Sequence, residues 1–158
     1  MSQDCIFCRI IRKEEQAYII YEDRSVIAIL DKAPFTEGHT LIITKTHSTN
    51  LLDADNRELS RAILIAKKLA LFYSKELKCD GVNLLHATGA VAGQSVNHFH
   101  MHVVPRYKSD GIGNPWYRTR KKSTRNSAVY ARLVASKYYG LLGVSNSAKA
   151  RMQTSQTA

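Results

Sequence analysis

Residues 97–105 read Asn97-His98-Phe99-His100-Met101-His102-Val103-Val104-Pro105. Histidine and an apolar residue alternate through three repeats. A period of two belongs to an extended strand, where residues i, i+2 and i+4 share one face at spacings of roughly 7 Å. The run therefore predicts a strand over 97–104, closed by Pro105. His98, His100 and His102 would line one surface, and Phe99, Met101 and Val103 would face the core. One histidine in a strand is ordinary. Half of the chain's six histidines within five positions is not. Such a face is costly to keep as packing, and makes sense if imidazole serves as nucleophile, proton carrier or metal ligand.

The rest of the chain frames that strand. Residues 17–23 and 25–30 read as two strands around a tight turn at Glu22-Asp23-Arg24. Residues 34–38 read as a loop, and the β-branched run 39–45 as a buried strand. Asp55-Asn56-Arg57-Glu58 has the form of a capping box, with Asp55 at the N-cap and Glu58 three residues on. Leu59, Ile63, Ala66, Ala70, Tyr73 and Leu77 then recur at helical spacing, and Gly81 marks the stop. Residues 82–85 form a short strand, 88–95 a glycine-containing loop, and 127–142 a second helix. The polar, basic stretch 144–158 reads as a disordered tail behind a single domain over 1–143.

Composition excludes several classes. No stretch is long and apolar enough to span a membrane. The start, Met1-Ser2-Gln3-Asp4, has neither a basic region nor an apolar signal core. Three cysteines do not make a disulfide framework. Reduced thiols and a cytoplasmic location are the expectation. The net charge of +10 implies attraction to polyanions. Much of the excess falls late, at Arg118, Arg120, Lys121, Lys122 and Arg125, then Arg132, Lys137, Lys149 and Arg151. Without interleaved aromatics this reads first as a solvated appendage, with weak nucleic-acid contact as the functional alternative.

Two further features bear on chemistry. The loop Gly89-Ala90-Val91-Ala92-Gly93-Gln94-Ser95 delivers backbone N–H groups, a carboxamide and a hydroxyl beside the histidine face, which suits a phosphate. It is not a Walker loop, because no Lys-Ser/Thr pair follows its glycines. Cys5-x-x-Cys8 has the spacing of half a zinc site, for which His47 and one strand histidine would complete a Cys2His2 set. A redox pair is the rival, but that motif normally opens a helix after a central strand.

These residues together resemble the histidine-triad (HIT) family. His98-Phe99-His100-Met101-His102-Val103-Val104 is similar to its His-x-His-x-His signature. Cys5-Ile6-Phe7-Cys8-Arg9-Ile10, Ala28-Ile29-Leu30-Asp31, Gly38-His39-Thr40-Leu41-Ile42-Ile43, Lys45-Thr46-His47 and Ala92-Gly93-Gln94-Ser95-Val96 follow the family order. The resemblance covers 4–107. It implies an α+β fold on a five-stranded antiparallel sheet with one long and one short helix, and a homodimer. It implies a hydrolase or transferase acting on nucleoside phosphoramidates or dinucleoside polyphosphates, with a purine nucleotide as expected substrate. His100 would be the nucleophile, forming a nucleotidyl-histidine that water resolves. His102 and His39 would hold the imidazole network. Gln94 and Ser95 would contact the scissile phosphate and leaving group. Asp31 would bind the ribose and Ile29 the base. Cys5, Cys8, His47 and His98 would hold a structural zinc.

The chain departs from the family pattern at Thr44, where members often carry Pro, and at Ala87, where many carry Asn. Asn83 or Thr88 could stand in for that amide. Two other functions fit the same residues. One is a metal-dependent phosphohydrolase with a catalytic zinc on the triad. The other is a non-catalytic nucleotide- or nucleic-acid-binding adaptor.

Overall fold

A computed structural model describes residues 5–113. The expected helix over 127–142, the basic cluster at 118–125 and the tail lie outside these residues. Five strands form one antiparallel sheet in the order β1-β2-β3-β5-β4. They are β1 (Ile19–Glu22), β2 (Val26–Leu30), β3 (Thr40–Thr44), β4 (Gly81–Leu85) and β5 (His100–Arg106). One long helix, α2 (Asn56–Phe72), and a short one, α1 (Ile6–Ile11), complete the fold.

Period-2 alternation sorts the sheet into two faces. Ala28, Leu30, Ile42, Met101 and Val103 share a core with Ala62, Ile65, Ala66, Leu69 and Phe72 of α2. Phe99 joins the same core, so the apolar half of the histidine run packs as its alternation predicts. On the opposite face Ile27, Ile29, Leu41 and Ile43 pack with Phe7 and Ile10 of α1. His39, His100 and His102 have the same parity as this second set. The histidine surface is therefore the sheet face turned away from the long helix.

Helix α1 has no counterpart in the strand-and-helix pattern of the sequence. Six residues are too few to hold a helix by propensity alone. Tertiary burial of Phe7, Cys8 and Ile10 holds it instead. Asp55 caps α2 as expected, its carboxylate accepting from the backbone N–H groups of Arg57 and Glu58. Glu58 does not return the bond. Its carboxylate, nearly buried, accepts from the N–H and hydroxyl of Thr46 at 3.0–3.3 Å. The buried face is also rotated from the expected one, leaving Ile63 half exposed. The helix widens by one residue per turn over Tyr73–Leu77 and stops at Lys78, which adopts a left-handed conformation (φ 54°). Gly81 instead opens β4.

The histidine strand also differs from its expected bounds. It starts at His100 and runs through Pro105 to Arg106. Pro105 is tolerated because its missing N–H lies on the side where β3 has already ended at Thr40. There the Thr36 hydroxyl donates to its carbonyl, while Asp80 N–H bonds the next carbonyl, Arg106, on the β4 side.

Candidate functional site

The late start of β5 divides the three histidines. β3 pairs with β5 only as far as Ile43 opposite His100. Residues 97–99 leave the ladder, and the His98 ring meets a different set of polar partners from those of His100 and His102. It stays on the α1 side of the sheet, where Phe7 touches both the His98 and the His100 rings. A catalytic metal held by all three rings is incompatible with this division.

His98 turns into a cluster with Cys5, Cys8 and His47. Its Nδ1 lies 3.4 Å from Cys5 Sγ, 3.6 Å from Cys8 Sγ and 3.2 Å from His47 Nδ1. Cys8 Sγ lies 3.3 Å from His47 Nδ1. All four candidate donors fall within 4.8 Å of one another. A tetrahedron with zinc–sulfur near 2.3 Å and zinc–nitrogen near 2.0 Å needs donor separations of roughly 3.3–3.8 Å. The donor set and its spacing therefore fit zinc. The tautomer fits as well. His98 Nε2–H donates to the Thr44 carbonyl at 2.8 Å, which leaves the Nδ1 lone pair aimed at the cluster. Burial, with the Cys5 thiol beside it, pushes the Cys8 thiol up, and a bound cation would reverse that. Glu58 contributes at one remove, by holding Thr46 just before His47. Phe99 N–H adds a tie to the Ser48 carbonyl just after it.

His100 and His102 open instead on a cavity of about 220 Å³. Phe7, Ile10, Ile29, Leu41 and Val96 give its lining an apolar part. Asp31, Lys32, Ser95, His100 and His102 give it a polar part, with Leu41 paired to His102 across the sheet. The sequence reading assigned Ile29 but not the wall that α1 supplies, because that helix was not foreseen.

Hydrogen-bond partners decide the ring tautomers. His100 Nδ1 lies 2.7 Å from the His98 carbonyl, an acceptor only, so Nδ1 carries the proton. The Nε2 lone pair of His100 is thereby available. Phe35 N–H donates to His39 Nδ1 at 3.1 Å, so the His39 proton sits on Nε2. That proton is donated to His102 Nδ1 at 2.9 Å. His102 therefore carries its own proton on Nε2. The result is an unprotonated nitrogen on one ring and an N–H donor on the next, with ring centroids 5.1 Å apart. Phe7 meets His100 edge-on at 5.1 Å.

Burial pushes His39 down to about 4 and His102 down to about 3, and lowers His100 as well. These rings are neutral near pH 7, as the tautomer relay requires. The consequence for stability has a definite sign. An unfolded histidine takes a proton near pH 6.5, whereas His39 and His102 resist it in the fold. Their contribution is complete above about pH 6.5 and is lost as the pH falls toward 4 and then 3. Melting temperature should be flat above that point and decline below it, with a shallower decline in His102→Gln. Equal slopes for both proteins would contradict the assignment.

The loop residues divide. Ser95 lines the cavity. The Gln94 side chain is turned inward, accepting from Gly89 N–H at 2.7 Å and donating to the Thr49 and Val96 carbonyls at 2.6 and 2.9 Å. In this conformation its carboxamide braces the loop rather than facing the cavity. Asp31 lines the cavity with Oδ1 accepting from Ala33 N–H and Oδ2 3.5 Å from His39 Nδ1. Asp31, His39 and His102 also lie close enough to invite a cation, yet the His39–His102 hydrogen bond occupies the nitrogens between them.

One residue escaped the sequence reading. His86, just past β4, contacts the His100 carbonyl and the Thr88 hydroxyl at 2.8 and 3.0 Å. Of the two candidates to replace the amide missing at Ala87, Asn83 is spent on Arg106. Thr88 is tied to His86. The only advance signal was a histidine at a strand end, which is weak alone.

Residues 12–109 match the HIT domain. An uncharacterized HIT-like protein of Borreliella burgdorferi is 48% identical over 112 residues, covering 70% of this chain and 81% of that protein. The adenosine 5'-monophosphoramidase HNT1 of Saccharomyces cerevisiae is 41% identical over 102 residues, covering 65% of this chain and 62% of that protein. Among solved structures, a Zn-bound histidine triad family protein from Mycobacterium smegmatis superimposes with a TM-score of 0.72 at 32% identity, covering 99% of this chain and 100% of that one.

Proposed function

The chain belongs to the HIT domain family, and on that premise we propose that it is a nucleotidyl hydrolase or transferase working through a covalent intermediate on His100. The observation that carries this reading is the pair of opposite tautomers that hydrogen-bond partners set on His100 and His102 in the cavity wall. A nucleoside phosphoramidate or dinucleoside polyphosphate would seat its base, a purine, against the apolar lining at Ile29. Asp31 accepts from the ribose hydroxyls, and Ser95 donates to the phosphate. His100 Nε2 forms a bond to the α-phosphorus as the bond to the leaving group breaks. The leaving group departs with that electron pair, steadied by a hydrogen bond from His102 Nε2–H, and takes up any proton it needs from water. Water then attacks phosphorus and releases a proton to solvent, while the nitrogen–phosphorus electrons return to His100. His39 keeps the His102 ring in register throughout. Support for the substrate class comes from the monophosphoramidase relative.

Cys5, Cys8, His47 and His98 would hold a structural zinc. A closed four-ligand site has no open position for substrate. A reducing, cytoplasmic setting keeps both cysteines available as thiolates, and none is in a disulfide among the described residues. No helix among these residues is long and apolar enough to cross a membrane. The basic tail adds only general attraction for anionic nucleotides.

We also place a homodimer contact at the β4 edge of the sheet. Leu84 of β4 and Leu64 and Leu71 of α2 are 44%, 52% and 60% exposed. Among the described residues this apolar exposure lies beside an unpaired strand edge, and a second copy of the chain is the cover we propose. Leu71→Glu combined with Leu84→Lys should convert the dimer to a monomer in sedimentation. An unchanged dimer would move the interface elsewhere.

Turnover tests the reading as a whole. A panel of adenosine and guanosine phosphoramidates and dinucleoside polyphosphates should yield nucleoside monophosphate from at least one member. No product from any of them, with nucleotides still bound, would support the non-catalytic adaptor.

A further inference from the structure

We propose that His86 is a positioning residue for the nucleophile, fixing the His100 backbone and the start of the 88–95 loop as one unit. The inference rests on the reading of His100 as nucleophile. In the β4–β5 ladder Leu85 lies opposite His102, and continuing that register would set Ala87 opposite His100. The His100 carbonyl points to this side of the strand, as the alternation of an antiparallel ladder requires. β4 ends at Leu85, however, and the chain turns away before Ala87 can serve that carbonyl.

The His86 ring supplies the missing donor. Its Nδ1–H donates to the His100 carbonyl at 2.8 Å. With the proton on Nδ1, Nε2 accepts from the Thr88 hydroxyl at 3.0 Å. The ring lies over Phe99, centroids 4.5 Å apart and planes 35° from parallel, which anchors it to the main core. One side chain thus joins three parts: the nucleophile's main chain, the first residue of the loop that carries Ser95, and the core. His100 is held twice, by its ring on the His98 carbonyl and by its carbonyl on His86. Remove His86, and the carbonyl loses its donor just where the ring must aim at phosphorus. A misplacement approaching 1 Å at a reacting atom costs up to about 100-fold in rate.

Three variants separate positioning from general stability. His86→Ala removes ring and donor. His86→Phe keeps the ring over Phe99 and removes only the donor, which covers the case in which the alanine variant does not fold. His86→Gln restores an N–H donor on a side chain of similar reach. With adenosine 5'-phosphoramidate, kcat should fall about 10- to 100-fold in His86→Ala and His86→Phe, with KM within about threefold. His86→Gln should recover to within about fivefold of the parent kcat. Nitrogen-15 spectra of the histidine rings give a readout that needs no substrate. His100 should show one Nδ1–H tautomer in the parent and in His86→Gln, and a tautomer mixture in His86→Phe. Unchanged kcat in His86→Phe, or His86→Gln no better than His86→Phe, overturns the proposal. If the parent protein turns over nothing, the reading of function fails separately. The spectra then decide alone, and an unchanged His100 signal in His86→Phe overturns the proposal.

Discussion

His100→Ala should abolish turnover and leave nucleotide binding within about threefold of the parent. The asymmetry follows from where His100 sits. The apolar lining of the cavity comes from Phe7, Ile10, Ile29, Leu41 and Val96, of which Phe7 meets the His100 imidazole edge-on and the other four have no ring contact with it. The proposed reaction depends on a single lone pair, the His100 Nε2, available because Nδ1–H is committed to the His98 carbonyl. Loss of a nucleophile in comparable covalent mechanisms costs on the order of 10⁴- to 10⁶-fold. Added imidazole should restore part of the rate to His100→Gly by filling the space the ring leaves. Hydrolysis by His100→Ala within tenfold of the parent would remove the covalent mechanism and leave direct attack by water.

On the proposed zinc assignment, removing the metal should unfold the protein more readily and loosen the apolar lining of the cavity. Cys8 is fully buried, and its cluster ties the N-terminal helix to two distant segments through His47 and His98. In the small proteins where it is measured, such a site supplies a large share of the folding free energy. Cys8→Ser, or exhaustive chelation of the parent, should lower the melting temperature by about 10 °C or more. Elemental analysis should find one zinc per chain in the parent and none in the variant. The surviving folded protein should bind nucleotide more weakly, because α1 carries Phe7 and Ile10 into the cavity. Its kcat should fall far less than in His100→Ala, since no cluster donor reaches substrate. A parent purified without chelator and free of metal, or a variant with an unshifted melting temperature, would count against the zinc assignment.

What could be read in advance was whatever a local pattern encodes. The period of two placed Phe99, Met101 and Val103 in the core and His100 and His102 on the opposite face. Spacing of three and four gave α2, though not its rotation, because Ile63 and Ala62 are equally acceptable to a pattern and only packing decides between them. The pairing of β3 with β5 stops at His100, yet His98 stays on the α1 side, where Phe7 touches both rings.

The remaining features join positions far apart in sequence. Glu58 looked like half of a local capping box, yet spends its carboxylate on Thr46 across the N-terminus of α2. Gln94 looked like a phosphate donor, yet holds the Thr49 carbonyl. His86 carries no pattern at all and gains its role only where β4 ends short of β5. Long-range hydrogen bonds of this kind leave no periodic trace. The metal set was the exception, because cysteine and histidine at such positions have few other uses, and the fold does bring all four together.

Intact mass after rapid acid-free quenching tests the central claim most directly. The parent, mixed with a substrate it turns over, should carry one nucleoside monophosphoryl group for a fraction of each cycle. Peptide mapping should place that group on His100, and His100→Ala should show none. Multiple turnovers by the parent with no adduct at any quench time, or an adduct mapped to another residue, would contradict the account.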